Sequence, residues 1–334
     1  MKNFIKNMPK AELHLHIEGT LEPEMLLELA MKNNVVLPYK NIEEVKAAYQ
    51  FENLQSFLDL YYQSMQVLQT RSDFYQLTWA YLKRCAEQNI VYCELFFDPQ
   101  AHMARGLAFE TVLDGIYQAT VQAKEELGVE AKIIFSILRH LTEEDAEIVL
   151  DMAILYKDRL IGMGLDSSEK GNPPEKFKHV YRRAREEGFY LVAHAGEEGD
   201  SSYVSGALEY LRVDRIDHGN NAIQDSSLLE ELKDREIALT LCPLSNFRLQ
   251  VVTDPKNHPL KKMFDMGLKV TINSDDPAYF GGYLNENYQI MQETFDLNKD
   301  EIVKISGYAF NATFLDESAK AAYLNKLKDY AEAH

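Results

Sequence analysis

The sequence predicts an α/β fold, namely a (β/α)8 TIM barrel with extra helices inserted after the first strand. Three observations predict it: the chain has 334 residues, short β-rich apolar runs alternate with longer amphipathic stretches, and that alternation occurs eight times. Alternating strands and helices are typical of a parallel sheet with helical crossovers. Eight such units favour a closed barrel over an open sheet, and this length is normal for one barrel. We therefore expect residues 1–334 to form a single domain.

The predicted strands are apolar runs of five to seven residues, several of them bounded by polar or turn-forming residues. They lie at Ala11–Ile17, Val91–Phe97, Lys132–Leu138, Leu160–Leu165, Tyr190–Ala195, Asp214–His218, Ile237–Cys242 and Leu268–Asn273. The stretches between them predict helices, among them Asp73–Gln88, Thr111–Leu127, Glu143–Lys157, Pro174–Glu187 and Ser226–Arg235.

The segment from Glu18 to Ile90 is too long for a single crossover. Its pattern predicts inserted helices at Glu22–Asn33, Ile42–Tyr49 and Leu54–Leu68, so the insertion covers approximately residues 18–90. Insertions of this kind in barrel enzymes often form a lid over the site. The last segment, Lys299–His334, is predicted to be helical and to complete the outer ring.

The charge balance limits the class of partner. Lys and Arg number 35 and Asp and Glu number 53, which gives a net charge of −18. A surface this acidic repels a phosphate backbone, so we expect no nucleic-acid polymer as a partner. A small neutral ligand is compatible with this charge.

Cysteine usage and hydropathy predict a cytoplasmic protein. The chain has three cysteines, and no two of them have C-x-x-C spacing. This favours reduced thiols. Residues Met1 to Lys10 lack the apolar stretch of a signal peptide. No run approaches the ~20 apolar residues of a membrane span, so no membrane partner is expected. The sequence leaves the oligomeric state open, a homo-oligomer included.

Polar residues stand at the carboxyl ends of several predicted strands, which is where barrel active sites are built. His14 and His16 end the first strand, and residues i and i+2 of a strand point to one face. Two imidazoles on one face can share a metal ion, although two histidines in a strand can equally be core residues that bond to backbone groups.

The fifth and sixth strands end in further candidates. His194 is followed by Gly196, which allows a sharp turn, and then by Glu197, which could hold a proton near a metal. His218 could be a metal ligand or a general base. The alternative is an exposed loop carboxylate for Glu197 and a hydrogen-bonded strand-end histidine for His218.

Adjacent carboxylates leave the eighth strand. Asp275 and Asp276 repel each other, which suggests a cation or a substrate proton between them. The alternative is a turn of the Asp-Asp-Pro type. All of these candidates converge on strand ends one, five, six and eight. Three imidazoles and a carboxylate suit a single Zn²⁺, which leaves a place for water, and Fe²⁺ also accepts such ligands.

These motifs also carry a family resemblance over essentially the whole chain. The motifs, in chain order, are Pro9–Thr20, His194–Glu197, Asp217–Gly219, Cys242–Asn246 and Ser274–Pro277. Together they resemble the adenosine/adenine deaminase family of the metal-dependent hydrolase superfamily. The resemblance implies a single metal-dependent hydrolase barrel that removes the amino group of a purine, as in purine salvage.

The resemblance also implies roles for the strand-end residues. The implied zinc ligands are His14, His16, His194 and Asp275. Glu197 would protonate purine N1, His218 would take a proton from the attacking water, and Asp276 would hydrogen-bond N7. Two-metal amidohydrolases place a carboxylated lysine at the end of strand four, and Lys170 lies past that point, so one metal ion is favoured.

Strand four bears on the choice of substrate. The segment Gly164–Glu169 resembles the adenine deaminase branch, with Glu169 where adenosine deaminases have glycine. Its carboxylate could accept a hydrogen bond from N9–H of free adenine, an atom that bears ribose in adenosine. Gly164, Ser167, Glu169 and Asp276 are therefore the predicted substrate-binding residues.

The predicted function is the hydrolysis of adenine to hypoxanthine and ammonia. Deamination of adenosine or of an N6-substituted adenine is the alternative within the same family. A purine- or metal-binding protein without activity is the alternative of a different class, because a fold does not by itself establish activity.

Overall fold

The computed structural model describes residues 1–334 and confirms the predicted barrel of eight parallel strands with helices between them. Strands that are consecutive in sequence are neighbours in the barrel, in the order β1 to β8. They are β1 (Lys10–His16), β2 (Ile90–Phe97), β3 (Glu130–Leu138), β4 (Leu160–Asp166), β5 (Tyr190–Ala195), β6 (Arg215–His218), β7 (Leu239–Leu241) and β8 (Val270–Ile272).

The barrel is nearly closed by contacts between β1 and the residues that follow β8. Asp275 and Leu15 form a parallel bridge, because Asp275 N donates to His14 O and His16 N donates to Asp275 O, each over 3.1 Å. The amide oxygen of Asn273 also accepts from Leu13 N at 2.9 Å. Closure therefore brings the histidines of the first strand against the carboxylates that follow the last one.

Seventeen α-helices connect and cover the strands. They are α1 (Lys2–Asn7), α2 (Pro23–Lys32), α3 (Ile42–Ala48), α4 (Leu54–Ser64), α5 (Arg71–Glu87), α6 (Pro99–Met103), α7 (Phe109–Glu126), α8 (Glu143–Ile154), α9 (Lys178–Glu186), α10 (Ser201–Gly206), α11 (Ser226–Asp234), α12 (Pro243–Arg248), α13 (Leu260–Asp265), α14 (Pro277–Phe280), α15 (Leu284–Phe295), α16 (Lys299–Asn311) and α17 (Glu317–Ala333). None of them has the length and apolar character needed to span a membrane.

Three short helices that the periodicity did not predict begin shortly after the ends of strands. Helices α6, α12 and α14 each have proline at their first position. Proline fixes φ at a helical value and lacks only an N–H that the first turn would leave unpaired. These helices turn the chain sharply at the carboxyl end of the barrel. The predicted terminal helix is also interrupted, since α16 ends at Asn311 and α17 is capped by Asp316.

Helices α2 to α5 occupy the chain between β1 and β2. Helix α4 begins at a capping box, in which the Asn53 side chain accepts from Ser56 N at 3.0 Å. The apolar face of α4 packs on α14, with the Phe57 and Phe280 rings 4.8 Å apart. The insertion therefore places aromatic side chains next to the residues that follow β8.

Inside the barrel, a buried ion pair joins two non-neighbouring strands. Arg215 of β6 donates to Glu94 of β2 over 2.6 Å and to the backbone oxygen of Leu13 over 3.1 Å. Both side chains are fully buried, and Tyr92 and the backbone of Phe314 donate to the second Glu94 oxygen. Both Glu94 oxygens and both terminal Arg215 nitrogens have hydrogen-bond partners, and Arg215 Nε lies 3.8 Å from Asp217 Oδ1, so the charges are tolerated in the core.

Candidate active site

A cavity with about 370 Å³ of empty space lies between the carboxyl ends of the strands and helix α4. Its walls are formed by His16, Leu54, Phe57, Leu58, Tyr61, Tyr62, Asp98, Asp166, Ser167, His194, Glu197, His218, Leu249, Asp275, Asp276 and Phe280. Five of these residues are carboxylic acids and none is Lys or Arg. Such walls repel an anionic ligand and suit a neutral one that can donate hydrogen bonds, or a cation.

Four buried side chains converge beside this cavity. His14 Nε2 lies 3.2 Å from Asp275 Oδ1. His16 Nε2 lies 3.1 Å from His194 Nε2 and 3.6 Å from Asp275 Oδ1. Two ligands of a tetrahedral ion lie about 3.3 Å apart when each bond is about 2.0–2.1 Å long. These separations therefore suit a shared metal ion.

The outward nitrogens of the histidine rings face oxygen atoms. His14 Nδ1 contacts Thr240 Oγ1 at 2.9 Å, and that hydroxyl bonds Asp217 Oδ1 at 2.9 Å. His16 Nδ1 lies 3.6 Å from Asp166 Oδ2. The hydrogen bond to Thr240 fixes the tautomer of His14 and directs its other nitrogen at a metal. His14 Nε2 itself is buried without a hydrogen-bond partner, so the donor set fits a metal ion at this point.

His218 belongs to the same cluster. Its donor atoms group with those of His14, His194 and Asp275 as a set that could hold an ion. His218 Nε2 lies 3.8 Å from Asp275 Oδ2 and 3.5 Å from Glu197 Oε2. The residue pattern allows His218 to be a metal ligand or a general base. Its position between the ion site and Glu197 is compatible with either role.

Three strand-end residues of the site have left-handed backbone conformations. The φ angles are 74° for Ser167, 61° for His218 and 64° for Asp275. A non-glycine residue in this region costs about 1–3 kcal/mol, and such strain concentrates at functional sites. The left-handed turn redirects each side chain as its strand ends.

The carboxyl groups of the site have strongly divergent pKa values. Burial, reinforced by the Asp275 carboxylate, raises the pKa of both Glu197 and Asp276 well above the ordinary range. Burial also opposes ionisation of Asp275, but interaction with the His14 ring counters it, and the pKa of Asp275 is held well below the ordinary value. Neighbouring acids whose pKa values are pushed apart can serve as a proton donor and a permanent anion.

The pKa of the His218 imidazole is also shifted from its ordinary value. Burial, helped by the nearby His14 ring, lowers the pKa of His218 to about 3. The ring is therefore neutral near pH 7 and can accept a proton. Glu197 and His218 thus form a pair in which one group can give a proton and the other can take one.

Gly19 allows Asp276 to reach the cavity. A Cβ atom on Gly19 would lie 2.0 Å from Asp276 Oδ1 and 2.7 Å from Asp276 Cα. Real Cβ atoms do not approach this closely, so only glycine fits here. Asp276 Oδ1 is buried and has no hydrogen-bond partner, which leaves it available to a ligand.

Only one of the three predicted substrate-binding residues in and after strand four lines the cavity. Ser167 lines the cavity, where its hydroxyl contacts Tyr62 at 3.0 Å and His140 at 2.8 Å. Gly164 lies within β4 behind the walls, where a Cβ would meet Ser136 Oγ at 2.8 Å. Glu169 is fully buried and bonds to backbone amides, and it is absent from the cavity walls. The structure therefore gives no geometric support to a contact between Glu169 and N9.

Two acidic residues of the cavity were not predicted as site residues. Asp98 follows β2 and Asp166 ends β4, and both line the cavity. Burial and the neighbouring Asp166 carboxylate raise the pKa of Asp98 well above its ordinary range. The signal that could have found Asp98 is its position before Pro99, which matches that of Asp276 before Pro277.

Comparisons with known proteins find similarity over nearly the whole chain. A family model described as adenosine deaminase matches residues 9–330. An adenine deaminase from Psychrobacter cryohalolentis is 50% identical over 327 residues, covering 98% of each chain. The crystal structure of an adenine deaminase from Arthrobacter aurescens is 44% identical, with a TM-score of 0.96, 97% of this chain covered and 99% of the other. An amidohydrolase structure from Burkholderia ambifaria with bound Zn is 28% identical, with a TM-score of 0.90 and coverage of 100% and 95%.

Proposed function

The chain belongs to the adenosine deaminase family, and we propose that it catalyses the hydrolysis of adenine to hypoxanthine and ammonia. One observation carries this proposal: the relatives that match nearly the whole chain at about 50% identity are adenine deaminases. The buried cavity with an ion site, an acid and a base supplies the groups that such a hydrolysis needs.

The ion in this proposal is Zn²⁺, held by His14, His16, His194 and Asp275. Nitrogen and carboxylate donors are the ligands that zinc prefers, and a zinc-bound relative of 28% identity supports the choice. When bound, zinc lowers the pKa of a coordinated water toward ~7 and so makes a nucleophile available at neutral pH.

The protein residues divide the proton transfers between them. Glu197, held in its protonated form by burial, gives a proton to purine N1 and thereby makes C6 electrophilic. His218, neutral near pH 7, takes one proton from the water that adds to C6 and passes it to the departing amino group. The remaining hydroxyl proton returns to Glu197, so the products are hypoxanthine and ammonia and both groups are restored. Asp276 contacts N7 through the oxygen that has no protein partner.

The charge of the cavity supports a free base over a nucleotide. Its walls carry five carboxylic acids and no Lys or Arg, so a phosphate group would have no cationic partner there. The preference for adenine over adenosine then rests on the identity of the relatives and no longer on a contact from Glu169.

The test is to incubate the purified, zinc-loaded protein with adenine, adenosine and N6-methyladenine and to follow ammonia or methylamine release. Release from adenine alone supports the proposal. Faster release from adenosine or N6-methyladenine keeps the chemistry and changes the substrate. The absence of release from all three, with zinc bound, would point to a binding protein.

Two further predictions remain proposals. We propose that residues 1–334 form one domain, because helix α16 in the C-terminal part of the chain packs on both the first and the last strand of the barrel. We also propose a cytoplasmic location, which the three unpaired, buried cysteines suit.

A further inference from the structure

Glu169 is a fully buried carboxylate that accepts hydrogen bonds from three backbone amides. Its Oε1 accepts from Gly196 N at 2.6 Å, and its Oε2 accepts from Glu198 N at 2.8 Å and from Gly199 N at 2.7 Å. Hydrogen bonds to an ionised acceptor are among the strong ones. The three donors belong to one turn, residues 196–199, called here the acid turn because Glu197 is its second residue.

The acid turn is shaped to surround an anion. Gly196 has a left-handed φ of 70°, and successive amides that point to one side form a concave anion site. A Cβ on Gly199 would lie 3.0 Å from the Glu169 carboxyl carbon and 2.6 Å from the Tyr203 ring. Both glycines therefore let the backbone close around the Glu169 carboxylate.

A buried cation, Arg139, binds the backbone just before the acid turn. Arg139 donates from Nη1 to His194 O at 2.7 Å, and it lies close enough to Glu169 for the two side chains to interact electrostatically. The carbonyl of His194 and the amides of residues 196, 198 and 199 are thus all fixed by buried charged side chains.

The Glu197 side chain has little else to orient it. Its carboxyl group has a single ion-pair contact, 3.5 Å from His218 Nε2, and its backbone oxygen accepts from Asn221 at 3.3 Å. The direction of the Glu197 carboxyl therefore depends on the backbone of the acid turn, which Glu169 holds on both sides of residue 197.

We infer that Glu169 is a positioning residue that fixes the acid turn and so directs the Glu197 carboxyl at the substrate. This inference rests on the proposed function, in which Glu197 delivers a proton. It replaces the contact with N9–H, because the Glu169 oxygens face the acid turn and not the cavity. A displacement of about 1 Å at a proton donor can cost about 10²-fold in rate.

The test compares Glu169→Gln with Glu169→Asp and with Ser168→Ala as a matched control. Ser168 is the preceding residue, and its hydroxyl contacts only Gln55 at 2.9 Å on the outer side. Glu169→Gln turns one acceptor into an NH₂ group that faces an amide donor. We expect kcat for adenine to fall about 10²-fold, inhibition by hypoxanthine to stay within about threefold, and zinc content to be unchanged. Ser168→Ala keeps wild-type kcat.

A second readout does not depend on activity. Backbone amide exchange, followed by mass spectrometry on a peptide covering residues 195–203, should accelerate in Glu169→Gln and not in Ser168→Ala, because the three amides lose their charged acceptor. If Glu169→Gln does not fold, Glu169→Asp carries the test, since its shorter carboxylate cannot reach all three amides and should give a smaller change in the same direction.

The outcomes separate this inference from the proposed function. Loss of hypoxanthine inhibition by tenfold or more, with unchanged amide exchange, would overturn the positioning role and restore a contact with the base. Unchanged kcat in Glu169→Gln would overturn the positioning role, and unchanged hypoxanthine inhibition together with it would also exclude a contact with the base. If the wild-type protein does not deaminate adenine, the proposed function fails, while amide exchange still decides whether Glu169 fixes the acid turn.

Discussion

Glu197 Oε2 lies 3.5 Å from His218 Nε2, so the group with a raised pKa and the group with a lowered pKa lie next to each other in the cavity wall. Burial favours the neutral form of both. In the proposed mechanism the pair therefore enters the reaction as a protonated acid beside an unprotonated base, the combination that general acid–base catalysis uses.

The first prediction concerns the pH dependence of this pair. Because the proposed mechanism uses Glu197 in its protonated form, kcat/KM for adenine should fall as pH rises through its raised pKa. The variant Glu197→Gln should lose 10²–10⁴-fold in kcat, retain its metal, and lack that alkaline limb. Steady-state rates from pH 5 to 10 measure this. An unchanged alkaline limb in the variant would assign the limb to another group.

The second prediction concerns the contact between Gly19 and Asp276. Gly19→Ala places a Cβ where Asp276 Oδ1 now lies, so the carboxyl must move. We expect kcat/KM to fall about 10²-fold while zinc content stays at the wild-type level. Gly307→Ala in helix α16 is the control, since its Cβ would meet nothing closer than 3.9 Å. Equal activity in the two variants would show that Asp276 needs no fixed position.

Metal removal is the third prediction. Dialysis against a chelator should abolish activity and lower the melting temperature, because bound metal stabilises only the folded chain. Added zinc should restore both, and elemental analysis should give one ion per chain. His14→Ala should lose the metal, whereas the exposed His179→Ala should keep it. Full activity of metal-free protein would contradict the proposed chemistry.

A fourth prediction concerns the buried Arg215–Glu94 pair. Glu94→Gln leaves the buried Arg215 guanidinium without its nearest anionic partner, so the free energy of unfolding should fall by about 3–5 kcal/mol. Urea denaturation measures the change. Glu231→Gln breaks the exposed Glu231–Arg235 pair and serves as the control, with an expected change within about 0.5 kcal/mol. A loss of similar size in both variants would refute the argument.

The fifth prediction links stability to pH through His258, which is buried and does not line the cavity. Its Nε2 contacts Asn246 at 3.0 Å and its Nδ1 accepts from Leu260 N at 3.3 Å, so both nitrogens are used in the neutral ring. Burial lowers the pKa of His258 to about 3 from an ordinary 6.5. Above pH 6.5 neither the folded nor the unfolded chain is protonated here, and below it only the unfolded chain gains a proton. Stability should therefore fall between about pH 6.5 and 3.

The measurement for His258 is the slope of unfolding free energy against pH. This single group contributes up to about 1.4 kcal/mol per pH unit in that window. The variant His258→Gln cannot titrate there, so its slope should be shallower than that of the wild type by about that amount. Parallel slopes would show that His258 takes up a proton in the folded state.

Much of the site was predictable because barrel topology places all strand ends on one rim. His14 of the first strand is 180 residues or more from both His194 and Asp275 along the sequence. The donor atoms of these three side chains nevertheless meet in one cluster. The rule of strand ends applies equally to Asp98 and Asp166, which it could have included. The short helices α6, α12 and α14 escaped a search for long periodic patterns, although Pro at the first position marks each of them.

The sequence alone determined the fold class and the residue types that meet at the rim, because strand order, hydrophobic periodicity and motif spacing are local properties of the chain. Only the tertiary structure decided where individual side chains point. Glu169 shows the difference: its position in the motif suggested a contact with the base, but the folded chain turns it toward the amides of residues 196, 198 and 199. A buried carboxylate must satisfy its charge, and its partners are set by the packing of distant loops, which spacing along the chain does not encode.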